Sequence, residues 1–146
     1  KFIYWPPKYK KLIFMFQKEM AERITAKKNT SAFGRLTVIS NLRLKIKKKF
    51  NISKNCFFPK PKVESSLLVF EPINNQKFKI NDIKNLEKVT QVIFSSKRKM
   101  INKAIKTLFK NDFIKINHIN INLASRPGEL SCDEYYKIAA YFEKKN

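Results

Sequence analysis

Glycine is almost absent from this 146-residue chain: Gly34 and Gly128 are the only two. No Gly-rich loop able to cradle a nucleotide can therefore be written within it. The two cysteines, Cys56 and Cys132, stand far apart with no CxxC or Cys/His spacing, so a zinc site is unsupported and reduced thiols are expected. His118 is the single histidine, in the polar stretch Lys115-Ile-Asn-His118, and reads as a surface loop residue without a catalytic partner. No Ser/His/Asp set, metal-ligand cluster or paired catalytic carboxylate can be assembled. No apolar run approaches the roughly 18 residues needed to span a bilayer, and no signal-peptide pattern opens the chain. A cytoplasmic protein with no bound metal and no membrane partner is expected. The chain begins at Lys1, within Phe2-Ile-Tyr-Trp-Pro-Pro7 and without Met, and reads as part of a longer protein.

Acidic residues are also scarce, 11 against 32 Lys and Arg, for a formal net charge of +21. Such a surplus opposes compaction by self-repulsion, and a polyanionic partner is the natural explanation. Nucleic acid leads, because each neutralised phosphate releases counterions and gives sequence-independent affinity; an anionic membrane is the other candidate. A Lys-, Ile-, Asn- and Phe-rich compositional bias accounts for some of the excess. Disorder is not expected, since 43% of residues are hydrophobic and Phe alone contributes 13.

Along the chain, Leu12-Ile-Phe-Met-Phe16 reads as a strand buried on both faces, as in a parallel sheet. Short helices are expected over 19–24 and 36–41, with a polar loop over 27–31 between them. Leu42, Leu44 and Ile46 alternate with basic residues, the period of a half-exposed strand. Residues 63–70 form another strand candidate, and 74–79 a linker. Beyond it Leu86, Val89 and Ile93 share a helical face. Ser95-Ser96 can end that helix and cap the next. From Lys97 to Lys110, Met100, Ile101, Ala104, Ile105, Leu108 and Phe109 make an apolar stripe, with Lys99, Lys103 and Lys106 largely outside it. Arg126-Pro127-Gly128 reads as a turn, and Ser131-Cys-Asp-Glu134 as a capping box opening a last helix. The pattern is the tail of an α/β sheet domain followed by a small helical domain, with the boundary near residues 73–80. Both parts are basic, +13 over residues 1–76 and +8 over 77–146, so the partner should contact both.

Three segments stand out as sites. In Phe57-Phe-Pro-Lys-Pro-Lys-Val63 two prolines fix φ and remove N–H donors, giving a stiff extended wall. Its aromatic ring suits stacking on an unpaired base, with Lys60 and Lys62 near phosphates. Equally, Phe57 and Phe58 could plug the core with both lysines solvated. Lys97-Arg98-Lys99 is expected to open a helix. Cations there oppose the macrodipole, but such a flanked N-terminus suits a phosphate. In Ala32-Phe-Gly-Arg35, Gly34 is expected either to take a conformation closed to other residues or to allow close packing. Arg35 can pair with an acid or reach RNA.

Phe16-Gln-Lys-Glu19, Ala21-Glu-Arg23, Ala32-Phe-Gly-Arg-Leu-Thr-Val38, Phe57-Phe-Pro-Lys-Pro-Lys-Val-Glu-Ser65 and Ser96-Lys-Arg-Lys99, in this order and spacing, resemble the ribosomal RNA adenine N6,N6-dimethyltransferases. The likeness covers nearly the whole chain and is nearest to the bacterial enzymes that dimethylate two adjacent adenines near the 3′ end of small-subunit (16S) rRNA. It implies an α/β fold: residues 1–76 as the C-terminal part of a Rossmann-like S-adenosylmethionine-dependent methyltransferase sheet, and 77–146 as a small all-α rRNA-binding domain. The target adenine would leave its stack, and its N6 would attack the sulfonium methyl in line, helped mainly by positioning. Family members carry their Gly-rich cofactor loop and an Asn-Leu-Pro-Tyr-like motif upstream; neither occurs here. The cofactor-binding N-terminal half is therefore expected to be missing, and the chain alone inactive.

By the same resemblance Phe57 matches the aromatic that stacks on the target base. Lys97, Arg98 and Lys99 fall at the start of an rRNA-gripping helix. Arg35, Lys60, Lys62 and Lys103 complete the expected RNA-binding set. The expected partners are small-subunit rRNA and the immature small ribosomal subunit, met by a monomer. The alternatives are a large-subunit rRNA adenine methyltransferase of the macrolide-resistance type and a non-catalytic RNA-binding or ribosome-assembly module.

Overall fold

A computed structural model describes residues 9–74, 77–110 and 119–145. The Trp5-Pro6-Pro7 break and His118 lie outside the described residues. Strand β1 (Leu12–Gln17) runs straight into helix α1 (Lys18–Ile24). Helix α2 (Arg35–Ser40) follows the polar loop, then β2 (Leu44–Ile52) and β3 (Ser65–Pro72). Three further helices follow among the described residues: α3 (Ile83–Phe94), α4 (Asn102–Phe109) and α5 (Cys132–Lys145). The architecture is α/β, a three-stranded sheet followed by a helical assembly.

The sheet order is β1-β3-β2, and both pairings are antiparallel, Phe14 facing Leu68 and Ile52 facing Ser65. This corrects the expectation of a parallel, doubly buried β1. Phe14 and Phe16 turn inward onto Phe70, with ring centroids 6.2 and 6.4 Å away, whereas Ile13 and Met15 are 61% and 56% exposed. An unbroken apolar run records only that both faces are apolar; which face is covered depends on what packs there. On β2 the alternation breaks at Lys47, where the register shifts between Ile46 and Lys48. Past this bulge Lys48, Lys49 and Phe50 are exposed, and lysines with a bulge protect an edge strand from further pairing.

Two apolar clusters form. Ala21, Ile24, Leu44, Leu68 and Phe70 make the sheet cluster. The second gathers α3, α4 and α5 through Leu86, Val89, Ile93, Ile105, Tyr135 and Ile138, and also takes in Phe33, Val38 and Leu42 from the first half of the chain. Leu86, Val89 and Ile93 are at most 1% exposed, as their shared face requires. Tyr135 stacks on Phe94 at 5.2 Å, and its buried hydroxyl donates to the Pro127 carbonyl at 2.8 Å.

The starts of α3 and α5 are closed by acids. The capping box holds as read: Glu134 Oε2 accepts from the Ser131 N–H at 2.7 Å, and Ser131 Oγ accepts from the Glu134 N–H at 3.3 Å. Glu143, near the end of α5, reaches the start of α3 and accepts from the N–H groups of Asn81 at 2.9 Å and Asp82 at 2.6 Å, and from Asn85 Nδ2 at 3.1 Å. Burial pushes its carboxyl upward, but these hydrogen bonds outweigh it and hold Glu143 below its ordinary value of 4.5. A depressed folded-state value means stability that is present above the unfolded value and lost as pH falls through the folded one. Glu143→Gln should therefore lower stability at neutral pH by about 1 kcal/mol. The loss relative to wild type should shrink as pH falls below the ordinary value and through the depressed folded one, read from urea midpoints at each pH.

Candidate nucleic-acid interface

The proline-rich segment joins β2 to the central strand β3. A 3-10 turn (Lys54–Cys56) is capped by Ser53 and leads to Phe57, whose backbone is extended at φ −121° and ψ 146°. The Phe58-Pro59 peptide is cis. Phe57 is half-buried and Phe58 fully exposed, so neither ring plugs the interior. Lys60 and Lys62 are exposed beside them.

The far end of this loop is clamped to the β1–α1 junction. Lys18 donates its backbone N–H to the Glu64 carbonyl at 2.9 Å and its Nζ to Glu64 Oε2 at 2.6 Å. Hydrogen bonding, then the opposite charge, raises Lys18 and lowers Glu64 from their ordinary values, so both stay charged at neutral pH. A pair this exposed adds little stability; what it fixes is place. The loop is held where β1 ends and β3 begins. Sequence reading missed this clamp, although Lys18 and Glu64 both lie in the motifs it used.

The second group lies where α2 meets the α3–α4 turn. A cleft of about 400 Å³ is lined by Arg23, Ser31, Ala32, Arg35, Phe94 and Lys97, among others. It brings Arg35 and Lys97 together and adds Arg23, not anticipated as a site residue, which pairs with Glu19 at 2.6 Å. Arg35 is exposed and, among the described residues, forms no ion pair, so it does not take the acid-paired alternative. Lys97 Nζ donates to the Phe33 carbonyl at 3.4 Å and lies 5.9 Å from the Phe94 ring centre. Phe57, Lys60 and Lys62 do not line this cleft.

Lys97, Arg98 and Lys99 do not open a helix. They occupy an exposed turn closed by the Lys99 N–H to the Ser96 carbonyl at 3.0 Å, and α4 starts only at Asn102. The delay has a cause: Ile101 and Asn102 donate their N–H groups to the carbonyls of Ser125 and Leu123, at 2.9 and 3.2 Å. The expected conflict with the helix macrodipole at these three residues therefore disappears. Met100 leaves the apolar stripe at 51% exposure, while Ile101, Ile105 and Phe109 are buried. Lys103 is exposed in the first turn of α4.

Among the described residues no group of His, Cys, Asp and Glu could hold a metal ion. Burial raises the Cys132 thiol, which stays protonated.

Residues 5–144 match the family model described as ribosomal RNA adenine dimethylase. The chain is 42% identical over 132 residues to the ribosomal RNA small subunit methyltransferase A of Pelagibacter ubique, covering 90% of this chain and 50% of that protein. The protein of the same name from Wolbachia pipientis (subsp. Culex pipiens) is 35% identical over 128 residues, 88% of this chain and 48% of its own. The chain thus spans about half the length of the curated relatives it matches. Among solved structures, a dimethyladenosine transferase from Plasmodium falciparum superposes with a TM-score of 0.78 at 24% identity, over 98% of this chain and 60% of that one. The 23S rRNA methyltransferase ErmE gives 0.58 at 15%, over 97% and 58%. At these identities the two structures establish the fold.

Gly34 departs from expectation. Its φ of −173° is extended backbone open to any residue, and an added Cβ would meet Lys97 Nζ at 3.6 Å, an ordinary contact. Gly34→Ala should change stability by less than about 0.5 kcal/mol in a urea titration.

Proposed function

Because the chain belongs to the ribosomal RNA adenine dimethylase family, we propose that it forms the C-terminal half of an enzyme that dimethylates N6 of two adjacent adenines near the 3′ end of small-subunit rRNA. In this reading residues 1–76 complete the catalytic domain and 77–146 form the helical rRNA-binding domain. The enzyme acts as a cytoplasmic monomer on the immature small subunit. The carrying observation is the Phe57 loop, clamped by Lys18 and Glu64 at the carboxyl end of β1.

S-adenosylmethionine supplies the methyl group in such a reaction. The residues described here do not fit it: neither glycine has positive φ, and the 400 Å³ cleft is lined by Arg23, Arg35 and Lys97, whose charges repel a sulfonium. In this reading its site lies mainly in residues outside this chain. The chain's own work is positioning. Phe57 supplies one wall for an adenine taken out of its stack, and a ring held by its backbone costs little ordering on contact. Arg35, Lys60, Lys62, Lys97, Arg98, Lys99 and Lys103 neutralise phosphates on either side. The large-subunit alternative has behind it a likeness in fold alone.

The test uses the longer natural protein, labelled S-adenosylmethionine and unmethylated small subunits. Phe57→Ala should lower turnover about a hundredfold while subunit affinity changes by no more than about threefold. Replacing Lys97, Arg98 and Lys99 with Ala should weaken binding and reduce the slope of log affinity against log salt by about 2–3. Undiminished turnover in Phe57→Ala would remove its pocket role. Methyl transfer by the 146-residue chain alone would show that the cofactor site lies within it.

A further inference from the structure

The described residue most at odds with its surroundings is Phe58. Phenylalanine is among the residue types most often buried, yet this ring is 103% exposed. Its neighbour Phe57 has an extended backbone, and successive side chains of an extended segment leave on opposite sides. Phe57 is half-buried against the protein, so Phe58 faces away from it. The two rings cannot serve the same base.

Around Phe58 the charge has one sign. Lys60 and Lys62 follow it and are exposed, Lys54 precedes it, and the only acid of the loop, Glu64, is held by Lys18 at 2.6 Å. Pro59 and Pro61 restrict the backbone on its far side, so presenting the ring costs little ordering on contact. An aromatic face set beside the exposed Lys60 and Lys62 matches the chemistry of an unpaired nucleotide, a π surface carrying a phosphate on each side. We infer that Phe58 is a second stacking platform, taking a nucleotide that flanks the target adenine and so fixing the path of the RNA strand past the Phe57 wall. This rests on the function proposed above and adds a residue that aligns the RNA without touching the reacting base.

The longer protein carrying Phe58→Ala, Phe58→Tyr or Phe58→Leu is titrated with unmethylated small subunits at several salt concentrations. Phe58→Ala should weaken binding about tenfold with the salt slope unchanged, because a stacked base and not a phosphate contact is lost. Phe58→Tyr should bind within about twofold of wild type, and Phe58→Leu should fall near the alanine variant. Equal affinity of Phe58→Ala and wild type would overturn the inference. So would full rescue by leucine, which would mean an apolar contact with protein. So too would unchanged subunit binding alongside lost binding to phosphatidylglycerol vesicles, which would assign the ring to a membrane surface. Failure of wild type itself to bind subunits would sink the proposed function, and this inference with it. Normal wild-type binding with an indifferent alanine variant would sink the stacking role alone.

Discussion

The Tyr136 hydroxyl donates to the Val38 carbonyl at 2.8 Å, joining residues 98 positions apart. It fills a vacancy that α2 cannot fill alone, since the last carbonyls of a helix have no partner within it. Six residues are too few to hold a helix in isolation, so α2 exists because both neighbours grip it. Phe33, Val38 and Leu42 sit in the helical cluster, while Leu36 packs against the sheet cluster. Thr37 Oγ1 donates to the Arg23 carbonyl at 2.6 Å, and Asn41 Nδ2 to that of Ile24 at 3.2 Å, tying α2 to α1 as well. Through this one short helix the sheet and the α3–α5 assembly acquire a fixed relation. The cleft that gathers Arg23, Arg35 and Lys97 is a product of that relation, because its residues come from both sides of it.

Placement of the acids explains how so basic a chain folds while keeping its cationic surface. Glu19, Glu64, Glu71 and Asp133 each hold a lysine or arginine. Asp82, Glu129, Glu134 and Glu143 accept backbone N–H groups at turns and helix starts. These eight carboxylates are structural fittings, each tied to a cation or to a backbone N–H. Among the described residues no ion pair joins a carboxylate to Lys60 or Lys62.

Much of this was legible in the sequence where short-range rules decide. The three strands, the helix over Leu86, Val89 and Ile93 and the Ser131–Glu134 cap follow from periodicity and local hydrogen bonding, and all are present. Long-range pairing was not legible. Whether β1 runs parallel or antiparallel depends on which strand lies beside it, and the neighbour, β3, begins some fifty residues later. The late start of α4 depends on the carbonyls of Leu123 and Ser125, which no local window around Lys97 contains. The aromatic wall was marked by its prolines, but the split between a half-buried Phe57 and a fully exposed Phe58 follows from the backbone angles and the clamp at Glu64. Arg23 was hidden for another reason. Its spacing from Glu19 reads as an ordinary helix-surface pair, and only the fold brings it beside Arg35.

The engaged acids couple the protein to its surroundings. As Glu64 and Glu143, both held below their ordinary value, take up protons, the chain loses those fastenings and gains net positive charge together, so both effects loosen the fold in the same direction. A polyanion lying along the cationic surface acts oppositely, because whatever binds the folded form alone raises its stability in proportion to occupancy. The molecule is thus a weak spring of its own charge, stiffest when its surplus of cations is neutralised.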